Sequence, residues 1–342
     1  MNIFFIGMGN MGKKHLLAIN ALKNKFNLKI NGYYDPGVKK IKINNSSLEG
    51  LDKINKKYLM QNEIDFCIIS TPHYLTKKYV DLIYSTRKKI DIFVEKPLGL
   101  NFREANQICK NKIKGQKLYV GLNYRFFNGI KKLIIDLKKK KFGNISSLEL
   151  FMGHGQNPQI QKSWKLNKVK SGGGAIIDPG IHLINLIQQI VNSKIKVRHT
   201  SVLKNFFWKT GIEEKTLILL STKKIPLILL NISIVNWRGE FSIKVNGNKG
   251  YGYISGRGSH YGNQIYKTGL RWGWLNSKAK NQEGTEIIKS NSSEKNVFLL
   301  QMKAVIFDIK KKKQKIKPSD HNDALKSMKL INEIYKCQKR KF

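Results

Sequence analysis

The sequence predicts two domains: an α/β domain with a doubly wound parallel sheet, then an α+β domain on an open, mostly antiparallel sheet. Three observations predict it. Short apolar runs alternate with helical patterns over the first third of the 342 residues, the mark of parallel strands joined by crossover helices. The first of these runs leads at once into Gly7-x-Gly9-x-x-Gly12. Beyond about residue 140 the pattern changes to many short β-rich runs parted by turn residues, which suits antiparallel pairing. The length also suits two cores better than one. The expected boundary gives residues 1–122 and 123–342.

Asn2 to Ile6 reads as the first strand and not as a signal peptide, since it has neither a basic leading segment nor a small-residue cleavage site. Gly7-Met8-Gly9-Asn10-Met11-Gly12 follows, then an apolar-periodic helix from Lys13 through Ile19, with His15 in it. Strand, G-x-G-x-x-G and helix in that order form the dinucleotide-binding turn of a Rossmann sheet. Gly7 permits the tight turn, Gly9 lets the backbone approach a pyrophosphate, and Gly12 lets helix and strand pack closely. The start of the helix, with Asn10 and Met11, offers N–H groups to phosphates.

The second strand, Leu28 to Tyr34, ends at Asp35. A carboxylate about twenty residues past the glycines can accept hydrogen bonds from ribose hydroxyls. It also repels a 2′-phosphate, and no Arg follows it directly, so NAD is expected in preference to NADP. Asp35-Pro36-Gly37 has the composition of a turn as well, and the two roles are compatible.

Phe66 to Ser70 and Ile90 to Val94 are further strands, with a helix from Leu75 to Thr86 between them. They run into the loops Thr71-Pro72-His73 and Glu95-Lys96-Pro97, and ligands of such sheets bind beyond the strands' C-terminal ends. His73 is either a contact to nicotinamide or ribose or a plain loop histidine. Lys96 is held at a strand end, where an ammonium can donate to a substrate hydroxyl or carbonyl and stabilise oxyanion charge. If desolvated, it can also exchange protons near neutral pH.

The second half shows a helix around Gly129 to Lys140 and β-rich runs at Ile145–Met152, Lys196–Val202, Lys215–Leu220, Pro226–Val235 and Glu240–Val245. A last helix, Asp320 to Gln338, is expected to pack back on the first domain. Between them lies Ser171-Gly172-Gly173-Gly174-Ala175-Ile176-Ile177-Asp178-Pro179-Gly180-Ile181-His182. Asp178-Pro179 has the pattern of a helix start, Asp as N-cap and Pro at the first helical position. Leu183, Leu186, Ile187, Ile190 and Val191 form an apolar stripe, leaving His182 and Asn185 on another face. Asp178 stands one turn before His182, a spacing that allows an Asp–His pair, with a plain cap as the alternative role of Asp178. A helix N-terminus keeps a nearby imidazole neutral. Neutral His182 can take the proton of a substrate hydroxyl while hydride leaves the same carbon.

Taken together, these residues resemble the Gfo/Idh/MocA oxidoreductase family over most of the chain. Beside the glycine turn and its trailing His15, the similarity lies in Thr71-Pro72, Glu95-Lys96-Pro97, Asn123-Tyr124-Arg125-Phe126, Gly143-Asn144-Ile145 and the Ser171 to His182 motif. The resemblance implies Lys96, Asp178 and His182 as catalytic residues. It implies Gly7, Gly9, Asn10, Met11, Gly12, Asp35, Thr71, Pro72, His73, Glu95 and Lys96 at the cofactor, and Asn123, Arg125, Trp164, Lys165, Asp178 and His182 at the substrate. It further implies hydride transfer between NAD and a secondary hydroxyl or ketone of a sugar, sugar phosphate, nucleotide sugar or cyclitol. NAD-assisted glycoside cleavage or epimerisation, and a non-catalytic NAD-bound regulator, are the alternatives. A homodimer or homotetramer through the C-terminal sheet is implied too. Two departures stand out: the family's T-P-N-x-x-H loop has His73 and Thr76 at its last two marked positions here, and Asn185 replaces a frequent Asp.

Sixty-four Lys and Arg against 22 Asp and Glu give a net charge of +42. The bases are mostly Lys, spread along the chain, with no zinc-finger, helix-turn-helix or aromatic RNA-binding signature, which argues against a nucleic-acid partner. Such a field steers anionic small molecules toward a cleft. Cys67, Cys109 and Cys337 lack metal-ligand spacing and suit reduced thiols in the cytoplasm, with no metal expected. The longest apolar stretch, Ile225 to Val235, is too short to span a membrane. Arg257, Arg271 and the aromatic residues from Gly256 to Trp274 form either a grip for phosphate and sugar or a packed loop with surface arginines.

Overall fold

The computed structural model describes residues 1–43, 46–191, 193–272, 286–290 and 294–338. The chain divides into two compact units. The first comprises Met1–Asn123, Val169–Gly172 and Lys295–Met328, and the second Tyr124–Lys168, Gly173–Glu294 and Lys329–Phe342.

In the first unit, β1 (Asn2–Ile6), β2 (Lys29–Tyr34), β3 (Lys40–Ile43), β4 (Ser46–Leu51), β5 (Phe66–Ile69), β6 (Asp91–Val94) and β7 (Leu118–Val120) form one sheet in the order β3-β4-β2-β1-β5-β6-β7. Every pair is parallel except the edge hairpin β3–β4. Strands β5 and β6 are buried at every position, as expected where helices cover both faces. Helix α1 (Asn10–Phe26) turns Gly12, His15, Leu16, Ile19, Leu22 and Phe26 inward at helical spacing and ends on Asn27 in the left-handed region. Helices α2 (Lys56–Gln61), α3 (His73–Ser85) and α4 (Phe102–Lys110) complete the alternation. Asn55 and Asn101 cap α2 and α4 by accepting from Tyr58 and Glu104 N–H.

The second unit holds α5 (Asn128–Lys138), an eight-stranded sheet and α7 (Gly180–Ile190), while α6 (Lys168–Ser171) is a single turn. Its strands are β8 (Ile145–Gly153), β9 (Lys196–Lys204), β10 (Glu213–Ser221), β11 (Leu227–Ser233), β12 (Glu240–Gly247), β13 (Gly250–Ser255), β14 (Gln264–Leu270) and β15 (Glu286–Ser290). Their order is β15-β14-β13-β12-β8-β11-β10-β9, and all pairs are antiparallel except β8 with β11. In β11, Leu227 and Leu229 face outward and Ile228 and Leu230 inward, the period-two pattern of a sheet with one face packed.

The predicted fold class stands. Strand β14 lies in the stretch from Gly256 to Trp274 read from sequence as a binding segment or packed loop, and Gly273 and Trp274 lie outside the described residues. Helix α8 (Glu294–Ile309) belongs to the first unit, where Phe298, Met302, Val305 and Ile306 join the core of β1 and α1. Helix α9 (His321–Gln338) starts in the first unit and ends in the second. Among the described residues no helix is long and apolar enough to cross a membrane.

Candidate functional site

The first unit supplies a cofactor cradle. Gly7 sits at φ +92, and its N–H donates to the Tyr34 carbonyl, 2.9 Å away, so the chain turns sharply off β1. A Cβ on Gly12 would overlap the Gly7 carbonyl oxygen, whereas one on Gly9 would meet nothing within 4 Å. The turn is thus closed on its helix side and open at Gly9. Helix α1 begins with no side-chain cap and no acidic residue in its first turn, leaving its leading N–H groups to an anion. Asp35 makes the turn expected of the stretch and is also tied to the glycine loop. It accepts from Gly37 N–H at 2.8 Å, making the turn, and from Met8 N–H at 2.6 Å, tying itself to the glycine loop. A carboxylate has roughly four acceptor positions, so two bonds leave room for ribose hydroxyls. Next to this turn, Ser70 Oγ and Thr71 Oγ1 are buried without a hydrogen-bond partner. An open glycine, an uncapped helix start and orphaned hydroxyls fit a dinucleotide.

The loop after β5 leads into α3, with Pro72 at the cap position. His73 is buried and its Nδ1 lies 3.0 Å from the Ser171 carbonyl oxygen, so one of its ring nitrogens serves the chain itself. Glu95 likewise serves the scaffold. Its Oε1 lies 2.6 Å from Nε2 of His15, which is fully buried, and its Oε2 accepts from Lys96 N–H at 3.2 Å. A Cβ on Gly121 would crowd that carboxylate at 2.7 Å. Lys96 therefore leaves β6 through a residue clamped to α1. Asn123, the last residue of this unit's first segment, is 9% exposed.

In the second unit, Tyr124 to Phe126 form a 3-10 turn. Arg125, expected at the substrate, is buried and donates to Asn185 Oδ1 at 3.2 Å. Trp164 and Lys165 lie on another 3-10 turn, and Lys165 Nζ stands 3.3 Å from Asp178 Oδ2.

The helix after the glycine motif starts later than its sequence pattern suggests. Asp178 is not its N-cap: α7 begins at Gly180, and Pro179 occupies the cap position with no side-chain cap. Asp178 belongs to the preceding turn, in which its N–H donates to Gly174 O and that of Gly180 to Ala175 O. Its carboxylate is thereby released to pair with Lys165. His182 is in the first turn of α7, 8% exposed, its N–H on the Pro179 carbonyl at 3.1 Å. Its ring stacks on Tyr124, centroids 4.1 Å apart and planes 8° from parallel.

Two residues given no role from sequence belong to this half. Tyr124 is one. The other is His154, one residue past β8 and between Gly153 and Gly155; a histidine flanked by glycines at a strand end was the available signal. Burial pushes the His154 imidazole down to about 4, and Asp178, His260, Lys165 and Arg257 all act on it. Gln156 N–H donates to its Nδ1 at 3.3 Å, which leaves the proton of a neutral ring on Nε2. Arg257 lies over Tyr261 at 4.3 Å and over Tyr124 at 5.1 Å. Arg271 lies over Trp272 at 3.8 Å. No metal-binding group of three His, Cys, Asp or Glu occurs among the described residues.

Comparison with known proteins agrees with this architecture. Residues 1–123 match a family model described as an oxidoreductase family with an NAD-binding Rossmann fold. Residues 130–252 match that of the GFO/IDH/MocA C-terminal domain. Among curated proteins, 2,7-anhydro-N-acetylneuraminate hydratase of Escherichia coli (strain K12) is 29% identical over 198 residues, 56% of this chain and 50% of that protein. The match thus spans half of that relative's length. Among solved structures, the WlbA dehydrogenase from Bordetella pertussis in complex with NADH and UDP-GlcNAcA is 15% identical. It covers 99% of this chain and 96% of that one at a TM-score of 0.76. Levoglucosan dehydrogenase in complex with NADH and L-sorbose is 13% identical, with 99% and 96% coverage and a TM-score of 0.78. At such identities these two speak for the fold alone. With both of its domains matched in order, the chain belongs to the Gfo/Idh/MocA oxidoreductase family and carries that family's NAD-binding Rossmann domain.

Proposed function

We propose that this protein is an NAD-dependent dehydrogenase acting on a secondary hydroxyl, or the corresponding ketone, of a sugar-like substrate. The observation that carries the reading is His182, a buried imidazole in the first turn of α7, held flat against Tyr124. Ring stacking and the place in the first helical turn both limit how the imidazole can turn. His182 takes the hydroxyl proton of the substrate in the forward direction and returns it in the reverse. Lys96, at the end of β6, has the chemistry to donate to a substrate oxygen and stabilise charge developing there. Asp178, paired with Lys165, keeps a carboxylate beside this half of the site. NAD, when bound, supplies the acceptor for the hydride that leaves the alcohol carbon. The name of the curated relative, which acts on an anhydro-neuraminate, supports the substrate class.

The test is a panel of sugars, sugar phosphates, nucleotide sugars and inositols with NAD, followed at 340 nm, alongside NADH fluorescence titration of the wild type and Lys96→Ala. The expected result is NADH formation with one class and loss of turnover in Lys96→Ala with cofactor binding intact. Full turnover by Lys96→Ala ends the catalytic assignment. A second reading has one observation in its favour: the Escherichia coli relative is named a hydratase, a reaction without net redox change. Substrate consumed with no net absorbance change, yet only when NAD is present, selects it.

A homodimer or homotetramer through the second sheet goes with this reading. Leu203, Leu217, Leu227 and Leu229 are exposed on β9 to β11, an apolar face of the kind subunits cover. Light scattering of Leu227→Glu/Leu229→Glu, expected to be a monomer, checks it.

A further inference from the structure

The second unit gathers cationic and hydrogen-bonding groups beside Asp178. We infer that Arg257, Lys165 and His154 form a subsite for an anionic substituent of the substrate, a carboxylate or a phosphoryl group. The inference rests on the proposed function and names the substrate class within it.

Four observations carry it. Arg257 is only half-buried, and its guanidinium carbon lies 4.3 Å from the ring centroid of Tyr261, 5.1 Å from that of Tyr124 and 5.7 Å from that of Phe127. Aromatic faces hold a guanidinium plane in place, and that planar fork suits bidentate oxyanions. Second, Tyr124 is also the ring on which His182 stacks. The cation is therefore one aromatic ring away from the proposed base. Third, Lys165 and Arg257 both act on His154, against one carboxylate, Asp178. Fourth, Gln156 N–H occupies Nδ1 of His154, so the neutral ring presents Nε2–H as a donor. A neutral donor near cations suits an anion, since it adds a hydrogen bond without adding repulsion. His260, 4.1 Å from Tyr261 and 6.2 Å from His154 between centroids, closes one side.

The experiment titrates the full chain, with and without NADH, with D-glucuronate, D-glucose 6-phosphate and uncharged D-glucose by calorimetry. The wild type is expected to bind at least one charged sugar ten-fold or more tightly than glucose, and which one identifies the anion as carboxylate or phosphoryl. Arg257→Gln and Lys165→Gln are expected to lose that preference. Lys138→Gln, an exposed control in a lysine run, is expected to keep it. Lys165 is exposed, so its variant reads the subsite even if Arg257→Gln fails to fold. Equal binding of charged and uncharged sugars, no binding of either charged sugar, or an undiminished preference in both variants overturns the inference. The NADH titration is read separately. A wild type that binds no NADH refutes the proposed function, whatever the sugar arms show.

Discussion

The rings of Tyr124 and His182 lie 4.1 Å apart and within 8° of parallel, joining the turn after Asn123 to the first turn of α7. Tyr124 is itself braced, edge-on to Phe127 and Phe241, with its hydroxyl on Met152 Sδ at 3.4 Å. His182 therefore has little freedom to rotate. Replacing it with Ala removes a general base, an effect of about 10²–10⁴ on kcat. Tyr124→Leu leaves the imidazole and removes only its stack. That contact is worth about 0.5–1.5 kcal/mol, a fall in kcat of roughly two- to ten-fold. Both variants should bind NADH like the wild type. Steady-state kinetics in which Tyr124→Leu equals the wild type would show that the stack does not position the base.

Gly9 and Gly12 separate cofactor binding from folding. Gly9 has φ −65 and open space where a Cβ would stand, so Ala fits the protein but occupies the path of a pyrophosphate. Gly9→Ala should keep its unfolding free energy within about 0.5 kcal/mol and lose ten-fold or more in NADH affinity. Gly12→Ala drives a methyl into the Gly7 carbonyl and should cost about 1–3 kcal/mol in stability. Urea unfolding and fluorescence titration on both variants distinguish the two roles.

How much was legible in the sequence follows from how local each constraint is. Gly7, Gly9 and Gly12 were readable because each answers to a neighbour within a few residues. The position of Lys96 just past the end of β6 was readable because the strand before it and Pro97 after it are contiguous. The cap was placed at Asp178, one residue early, because Asp-Pro looks the same before a helix as within the turn preceding one; the bonds to Gly174 and Ala175 decide it. His154 could not be assigned because its neighbours, Asp178, Lys165, Arg257 and His260, come from segments scattered over a hundred residues. Helix α8 escaped notice because Val297, Phe298, Met302, Val305 and Ile306 are all buried, leaving little of the polar face that marks a surface helix.

Glu95 looks in sequence like a cofactor residue, yet both carboxylate oxygens are used internally, by His15 and by the Lys96 N–H. Its prediction is therefore a stability effect with a secondary loss of turnover. Glu95→Ala strips a hydrogen bond to a charged group, worth about 1.5–3 kcal/mol, and leaves Nε2 of buried His15 without its acceptor. Glu95→Gln keeps an acceptor oxygen and should recover at least half of that. An unfolding free energy unchanged in Glu95→Ala would count against the clamp.

His154 makes stability depend on pH in a direction that can be worked out. Burial lowers its folded-state pKa to about 4 from an ordinary 6.5, so between those values the unfolded chain binds the proton and the folded chain does not. Stability then rises with pH across that window and is lost as pH falls from about 6.5 toward 4, by at most about 1.4 kcal/mol per pH unit from this one group. Above 6.5 both states are neutral and the contribution is flat. Other groups titrate in the same range, so the readout is a difference. Urea unfolding of the wild type and of His154→Leu from pH 4 to 8 should give curves whose gap changes between pH 4 and 6.5 and stays constant above. A gap independent of pH throughout would mean that the imidazole is as free to take up a proton in the folded chain as in the unfolded one.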